Sequence, residues 1–415
     1  MTTKHNQIVR LDWRLCPGAA TRAAVCRYVV CTLAMVALAA CSGGGNGGDG
    51  GGPGATATPF PILYSADQDT DQAFELYLFS SSIKLNPPYP AGREVFGWQV
   101  LPDKSGVVYR ADQEADNHFE LFHVAFANPG VSTKLTPPLV ANGDVSSFEV
   151  APDSSAVVYV ADQDTDNVFE LYRVAIGQPG VSTKLNSPLV ADGDVFDFKV
   201  TPDNRAVDYL ADQDIDGVRE LYRVAIGQQG VSTKLNPPLV ADGDVFSFEV
   251  VPDNSAVVYV ADQDTDGVNE LYRVAFAQPG LNTFGQVGVS TKLNPPLVAG
   301  GDVLARFELT SESSAVVYRA DQDVDEVLEI YRVVIGQPGV STKLNPPLVA
   351  GGDVLTFEVT PDGMAVVYRA DQDTDGVNEL YRVAFGQPAV STKLNPPLVA
   401  NGDVTRMTVD GSLVP

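Results

Sequence analysis

The chain has 415 residues, 44% of them hydrophobic and 19% charged, and a formal net charge of −26. Such an excess of carboxylates offers no basic footprint to a phosphate backbone, which excludes nucleic-acid binding. All four cysteines lie at or before Cys41, which excludes a disulfide framework or a cysteine metal site in the remainder.

In chain order, residues 1–27 carry Lys4, Arg10, Arg14, Arg22 and Arg27 against a single Asp12. Tyr28 to Ala40 is a short apolar run, too short to span a bilayer comfortably. Together they read as a signal peptide over 1–40. Leu38-Ala39-Ala40-Cys41 resembles a bacterial lipobox, which implies lipidation of Cys41 and leaves an ordinary signal peptide or an uncleaved anchor as alternatives. Ser42 after the cysteine implies outer-membrane sorting, by similarity to enterobacterial lipoproteins. Residues 41–58 form a Gly-rich tether whose stretch Ser42–Gly54 reaches about 20 Å. Removing residues 1–40 takes away five basic residues and one acidic residue, leaving 22 against 52 and a net charge of −30.

From residue 59 onward the chain is a repeat. Ala-Asp-Gln begins at Ala66, Ala111, Ala161, Ala211, Ala261, Ala320 and Ala370, at spacings of 45, 50, 50, 50, 59 and 50 residues. A period of that length marks a supersecondary unit. In one copy, Val145–Val150 alternates as a strand and Ala151-Pro-Asp-Ser-Ser155 makes a turn. Ala156–Val160 is an apolar run that predicts a strand buried on both faces. The acidic loop 162–167 follows, then a strand over Phe169–Val174, a turn at Gly177–Gly180 and a short strand at Ser182–Leu185. Four antiparallel strands per unit, repeated radially, predict an all-β, seven-bladed β-propeller over 59–415. The first copy begins at its second strand, near Ile62, and residues 402–411 supply a first strand with nothing after it. The C-terminal strand is therefore expected to complete the first blade and close the ring.

Thr360-Pro-Asp-Gly-Met-Ala-Val-Val-Tyr368 with Asn378-Glu-Leu-Tyr381, and a closing Lys-Leu-Asn, resembles the TolB-type, WD-like propeller repeat. That resemblance spans roughly residues 61–411 and implies the fold rather than a function. The acidic loop is about two residues longer than in that family, and its N-terminal α/β domain and periplasmic partners are not carried over.

The acidic loop is the one motif with chemistry. Asp262, Asp264, Asp266 and Glu270 stand at positions 1, 3, 5 and 9, with Gly267 at position 6. Alternating hard-oxygen ligands resemble the start of an EF-hand loop and imply calcium. The best sites are blades 4, 5 and 7: Asp212, Asp214, Asp216 and Glu220; Asp262, Asp264, Asp266 and Glu270; Asp371, Asp373, Asp375 and Glu379. The alternative is a hairpin turn whose carboxylates cap backbone amides. The loops and the Gly-Asp before each first strand gather 35 of the 52 carboxylates on one face, a crowding that calls for cations. Lys84, Lys134, Lys184, Lys234, Lys292, Lys343 and Lys393 on the outermost strands are expected to protect edges, with phosphate binding as the alternative.

His118 and His123 are the only histidines after residue 40, and no nucleophile elbow or phosphate loop occurs. The blades read as nearly identical apart from a short loop at Phe79–Ile83 and an insertion at Leu281–Gly288. The expectation is a non-enzymatic, lipid-anchored, monomeric scaffold in the bacterial envelope, at the outer membrane facing the periplasm or cell surface, with a protein or glycan partner. The alternatives are a hydrolase or lyase with an acidic channel-mouth site, and a carbohydrate-binding or adhesion module.

Overall fold

The computed structural model describes residues 61–276 and 287–409, all within one compact unit, Pro59–Pro415. Among these residues there is no helix, so none is long and apolar enough to cross a membrane. The signal peptide, Cys41, the tether and most of the 281–288 insertion lie outside the described residues.

The molecule is a seven-bladed propeller of antiparallel sheets laid down in chain order. Blade 3 is typical, with strands Val145–Val150, Ala156–Ala161, Glu170–Ala175 and Ser182–Lys184 running from the inner wall outward. The apolar run is fully buried, as its composition requires. Its register sets Tyr159 opposite Tyr172, and the two rings stack at 5.5 Å. Blades 4 to 7 repeat this tyrosine pair, and blade 2 has Tyr109 on Phe122.

Hydrophobic clusters form between blades rather than within them. Val158, Val160, Leu171 and Leu185 of blade 3 pack against Val195, Phe198, Tyr209 and Tyr222 of blade 4. Each such side chain contributes about 1.5–3 kcal/mol when fully buried, so the junction is the unit of stability. Backbone bonds cross it as well: Gly230 N donates to Leu185 O at 3.0 Å and Val190 N to Gln213 O at 3.0 Å.

Each inner strand carries a register shift just after its first valine, as between Val195 and Asp197. Such bulges twist a strand and re-aim its side chains, here along the inner wall. Position 6 of the acidic loop is left-handed in every blade, including Gln72 at φ 62° and Glu326 at φ 61°. The glycines Gly217, Gly267 and Gly376 meet this demand without a Cβ penalty.

One expectation is corrected. The first sheet has three strands, Leu63–Ala66, Glu75–Leu78 and Ile83–Lys84, and residues 402–409 form no ladder with it. That segment instead lies against blade 7, where Val404 N donates to Asn378 O at 2.8 Å, as Val354 N does to Leu328 O one blade earlier. Contacts to the preceding blade position it; the ladder that would join it to the first blade is not formed.

Candidate functional site

The acidic loop is built from partners far away in sequence. At position 1, Asp212 is buried; its Oδ1 accepts from Asp194 N at 2.5 Å and its Oδ2 from Gly217 N at 3.0 Å. Asp194 in turn accepts from Phe169 N of the preceding blade at 2.9 Å. This relay stitches blade 3 to blade 4. It recurs through Asp144 to Phe119, Asp244 to Arg219, Asp302 to Asn269, Asp353 to Leu328 and Asp403 to Asn378. Burial, opposed by the amide bond and reinforced by a neighbouring aspartate, holds Asp144, Asp302 and Asp353 above the usual carboxylate value.

Positions 3 and 9 share one cation, and it is a lysine. Lys234 Nζ lies 2.9 Å from Asp214 and 2.5 Å from Glu220 in blade 4. Lys292 joins Asp264, at 3.1 Å, to Glu270 in blade 5. Lys393 lies 2.8 Å from Asp373 and 2.5 Å from Glu379 in blade 7. The other four blades have the same bridge. The position-9 carboxylate also accepts the tyrosine hydroxyl beside it, as from Tyr222 to Glu220 at 3.1 Å. Position 5, held by Asp216, Asp266 and Asp375 in these blades, is exposed to solvent.

The four carboxylates therefore do not converge on a vacant centre. The first is committed to amides, the third and ninth to an ammonium group, and the fifth is exposed. Among the described residues no group of three or more His, Cys, Asp or Glu is arranged to hold a metal ion. The spacing that suggested calcium is real, but the donors do not fit an open cradle. The outer lysines serve chiefly as internal counterions rather than as edge protection alone.

The inner wall is the part that departs from repetition. Where blades 3, 5, 6 and 7 have Glu149, Glu249, Glu308 and Glu358, blade 4 has Lys199. Two residues earlier along these strands stand Ser147, Asp197, Ser247, Arg306 and Thr356. Glu149 Oε2 accepts from Val200 N of the next blade at 2.9 Å, and Glu308 does the same for Val359 N at 2.8 Å. Gln99 plays this part between blades 2 and 3, accepting from Val150 N at 2.8 Å. Lys199 has no acceptor to offer the following blade; its Nζ lies 3.5 Å from Glu249.

This places Glu149, Asp197, Lys199 and Glu249 in one charged group. Burial within the wall pushes the Glu149 carboxyl up, as does the repulsion of Asp197 and Glu249, against the Val200 amide and Lys199. Burial likewise raises Asp197 and Glu249, both opposed by Lys199. Asp197 is nevertheless exposed to solvent, so these carboxyls are accessible while being flanked by protein. An accessible carboxyl held protonated more readily than usual, beside an ammonium group, is suited to proton transfer. The only sequence signal was the break in the repeat at residues 197 and 199.

No family model matches the chain, and no curated protein matches it. Similar solved structures include an oligogalacturonate lyase in complex with manganese, at 15% identity and TM-score 0.47, covering 78% of this chain and 86% of that one. An oligogalacturonate lyase from Vibrio parahaemolyticus follows at 14% identity and TM-score 0.45, with the same coverage. Prolyl oligopeptidase B from Galerina marginata is similar at 12% identity and TM-score 0.51, covering 74% of this chain but 44% of that one. At these identities the likeness concerns the fold. The expectation of a non-enzymatic scaffold is corrected on this chain's own residues: the near-identity of blades on which it rested fails at the inner wall, where blade 4 carries Asp197 and Lys199.

The two carboxyl sets give opposite responses to acid. Asp164, Asp214, Asp264 and Asp323 are raised by partial burial but pulled further down by their lysines, ending below the usual 3.8. Lysine bonding comes first for Asp69 and Asp373, with the same result. Their stabilisation is complete above 3.8 and is lost as the pH falls through their lowered values. Asp144, Asp302, Asp353, Glu149, Asp197 and Glu249 lie above their usual values, so the folded state gains as they take up protons. The melting temperature is expected to rise as the pH is lowered from neutral to about 5 and to fall below 3.8. Calorimetry across this range checks it; a monotonic fall from pH 7 would mean the raised set does not exist.

Proposed function

We propose that this chain is an envelope hydrolase or lyase working by acid–base chemistry at the inner wall of blades 3 to 5. The observation that carries the reading is the group Glu149, Asp197, Lys199 and Glu249, where the repeat breaks and carboxyls are raised beside an ammonium group. Glu149 or Glu249 would donate or accept the proton, and Lys199 would stabilise negative charge developing on the substrate. Glycans are the proposed substrate class, since cleavage of a glycosidic bond needs this pairing of a protonated and an ionised group. The TolB-type character of the repeat and a glycan partner belong to the same reading.

Divalent cations have a restricted place in it. Calcium at the loops of blades 4, 5 or 7 would have to displace Lys234, Lys292 or Lys393 from their carboxylates. The catalytic reading does not depend on that exchange.

The test is an activity screen of the purified protein on neutral and uronate-containing polysaccharides, followed by Glu149→Gln, Glu249→Gln and Lys199→Met. Loss of about 10²–10⁴-fold is expected from at least one glutamate variant and from Lys199→Met. Glu149→Gln keeps an acceptor for Val200 N, as Gln99 does for Val150, so its melting temperature should hold. Activity that survives all three substitutions would overturn the assignment, and so would a protein inert on every polysaccharide.

The address is proposed from the N-terminus: lipidation at Cys41, an envelope location at the outer membrane, and a propeller tethered to the lipid surface through residues 42–58. Cys41→Ala should move the protein from the membrane to the soluble fraction. Unchanged membrane association would remove the lipid anchor from the account.

A further inference from the structure

The acidic side of the inner wall is aromatic over only part of the ring. Each inner strand begins beside the acidic loop: in blade 4, Val195 pairs with Ala211, which directly precedes Asp212. The next residue sits in the bulge, where the register slips between Val195 and Asp197. That position is Phe196 in blade 4, Phe96 in blade 2 and Phe246 in blade 5. Phe96 and Phe196 are each 44% exposed, although Val195, Phe198 and Val200 on the strand of Phe196 are buried.

The residue before the position-9 glutamate adds Phe74, Phe119 and Phe169 from blades 1 to 3. Backbone bonds set the two positions side by side: Val95 N donates to Phe74 O and Val195 N to Phe169 O, both at 2.8 Å. Blades 6 and 7 have Leu304, Leu328, Leu355 and Asn378 at these positions. The aromatic arc therefore lies on the side of the ring that holds Asp197 and Lys199.

The rings are fixed in place. Phe119 meets Phe96 edge-on, with centroids 5.0 Å apart at 73°. The Arg110 guanidinium lies 5.0 Å from the Phe96 centroid and 5.3 Å from that of Phe119, and donates to Val145 O of the next blade at 2.9 Å. Arg219 lies 5.3 Å from the Phe246 centroid. Exposed rings already held by the protein lose little freedom when a ligand stacks on them.

We propose that Phe96 and Phe196 stack the sugar rings of an uncharged glycan chain and lead it along the wall to Glu149, Asp197, Lys199 and Glu249. The inference rests on the catalytic reading above for the place of cleavage, and it narrows the substrate to neutral glycans. The face of a phenyl ring is electron-rich, and the face of a pyranose presents C–H hydrogens of slight positive charge, so the two stack. The hydroxyls at the rim of the sugar stay free to donate to carboxylates. Phe196 and Asp197 are adjacent in one bulge, so a sugar on Phe196 has its neighbouring linkage beside the charged group. Charge selects the chain. The position-5 aspartates of the acidic loops are exposed in every blade on this side, as is Asp197. A polyuronate brings like charge to that face and is disfavoured, whereas a neutral chain is not.

The test reads binding separately from turnover. Full-length wild type, Phe96→Ser, Phe196→Ser and the double variant are run in native gels containing soluble xyloglucan, mixed-linkage β-glucan, galactomannan or polygalacturonate, and retardation is converted to affinity. Serine is the residue that blade 3 has at this position, Ser146, so each variant should keep the wild-type melting temperature. Retardation by at least one neutral polysaccharide and none by polygalacturonate is expected, with a loss of about tenfold in each single variant and more in the double. Equal retardation of wild type and double variant would overturn the stacking role, even in a protein that cleaves the polysaccharide. Stronger retardation by polygalacturonate than by every neutral polysaccharide would overturn the selection by charge, and no retardation in any gel would overturn the proposal as a whole. Binding that depends on the two phenylalanines without any cleavage would leave this inference standing and remove the catalytic reading.

Discussion

The carboxylate that crosses from one blade to the next is the contact on which the rest of the molecule depends. Asp194 accepts an amide of blade 3 while its own amide is capped by Asp212 of blade 4. Two acidic residues are thereby consumed at a buried edge where backbone groups would otherwise go unpaired, at a cost of about 1–3 kcal/mol each. Repetition of this relay sets the pitch between blades and aligns the apolar clusters beneath it. It also explains how an acidic face can persist at a net charge of −26: many of those carboxylates are hydrogen-bond acceptors or lysine partners with fixed donors.

The strands and turns were legible because their information is local. Val157–Val160 is apolar throughout, and only a strand buried on both faces accommodates that; the alternating inner strand and the Pro-Asp turn announce themselves the same way. The acidic loop was less legible for the opposite reason. Positions 1, 3, 5 and 9 have calcium-loop spacing, but their function is set by Lys234, 14 residues after Glu220, and by an aspartate amide 18 residues away from Asp212. No short window contains those partners. The alternative reading of carboxylates capping amides describes position 1, and neither reading anticipated the shared lysine.

The regularity of the repeat concealed the inner wall. The blades share their turns, core and acidic loops, whereas the proposed chemistry sits where they differ, at Asp197 and Lys199. Strand counting was similarly limited. It gave the number of blades, because each blade is a local unit, but not the seam, because pairing residues 404–409 with Leu63–Ala66 requires contacts across nearly the whole chain.

The central claim is that lysine, rather than a metal ion, neutralises the acidic loops. It is tested most directly by the melting temperature of the wild-type protein and of Lys292→Ala, each in EDTA and in millimolar calcium. A ligand that binds only the folded state must raise stability. The account predicts no calcium response in the wild type and a gain in Lys292→Ala, where Asp264 and Glu270 are left without their counterion. A calcium-dependent rise of several degrees in the wild type, reversed by EDTA, would contradict it.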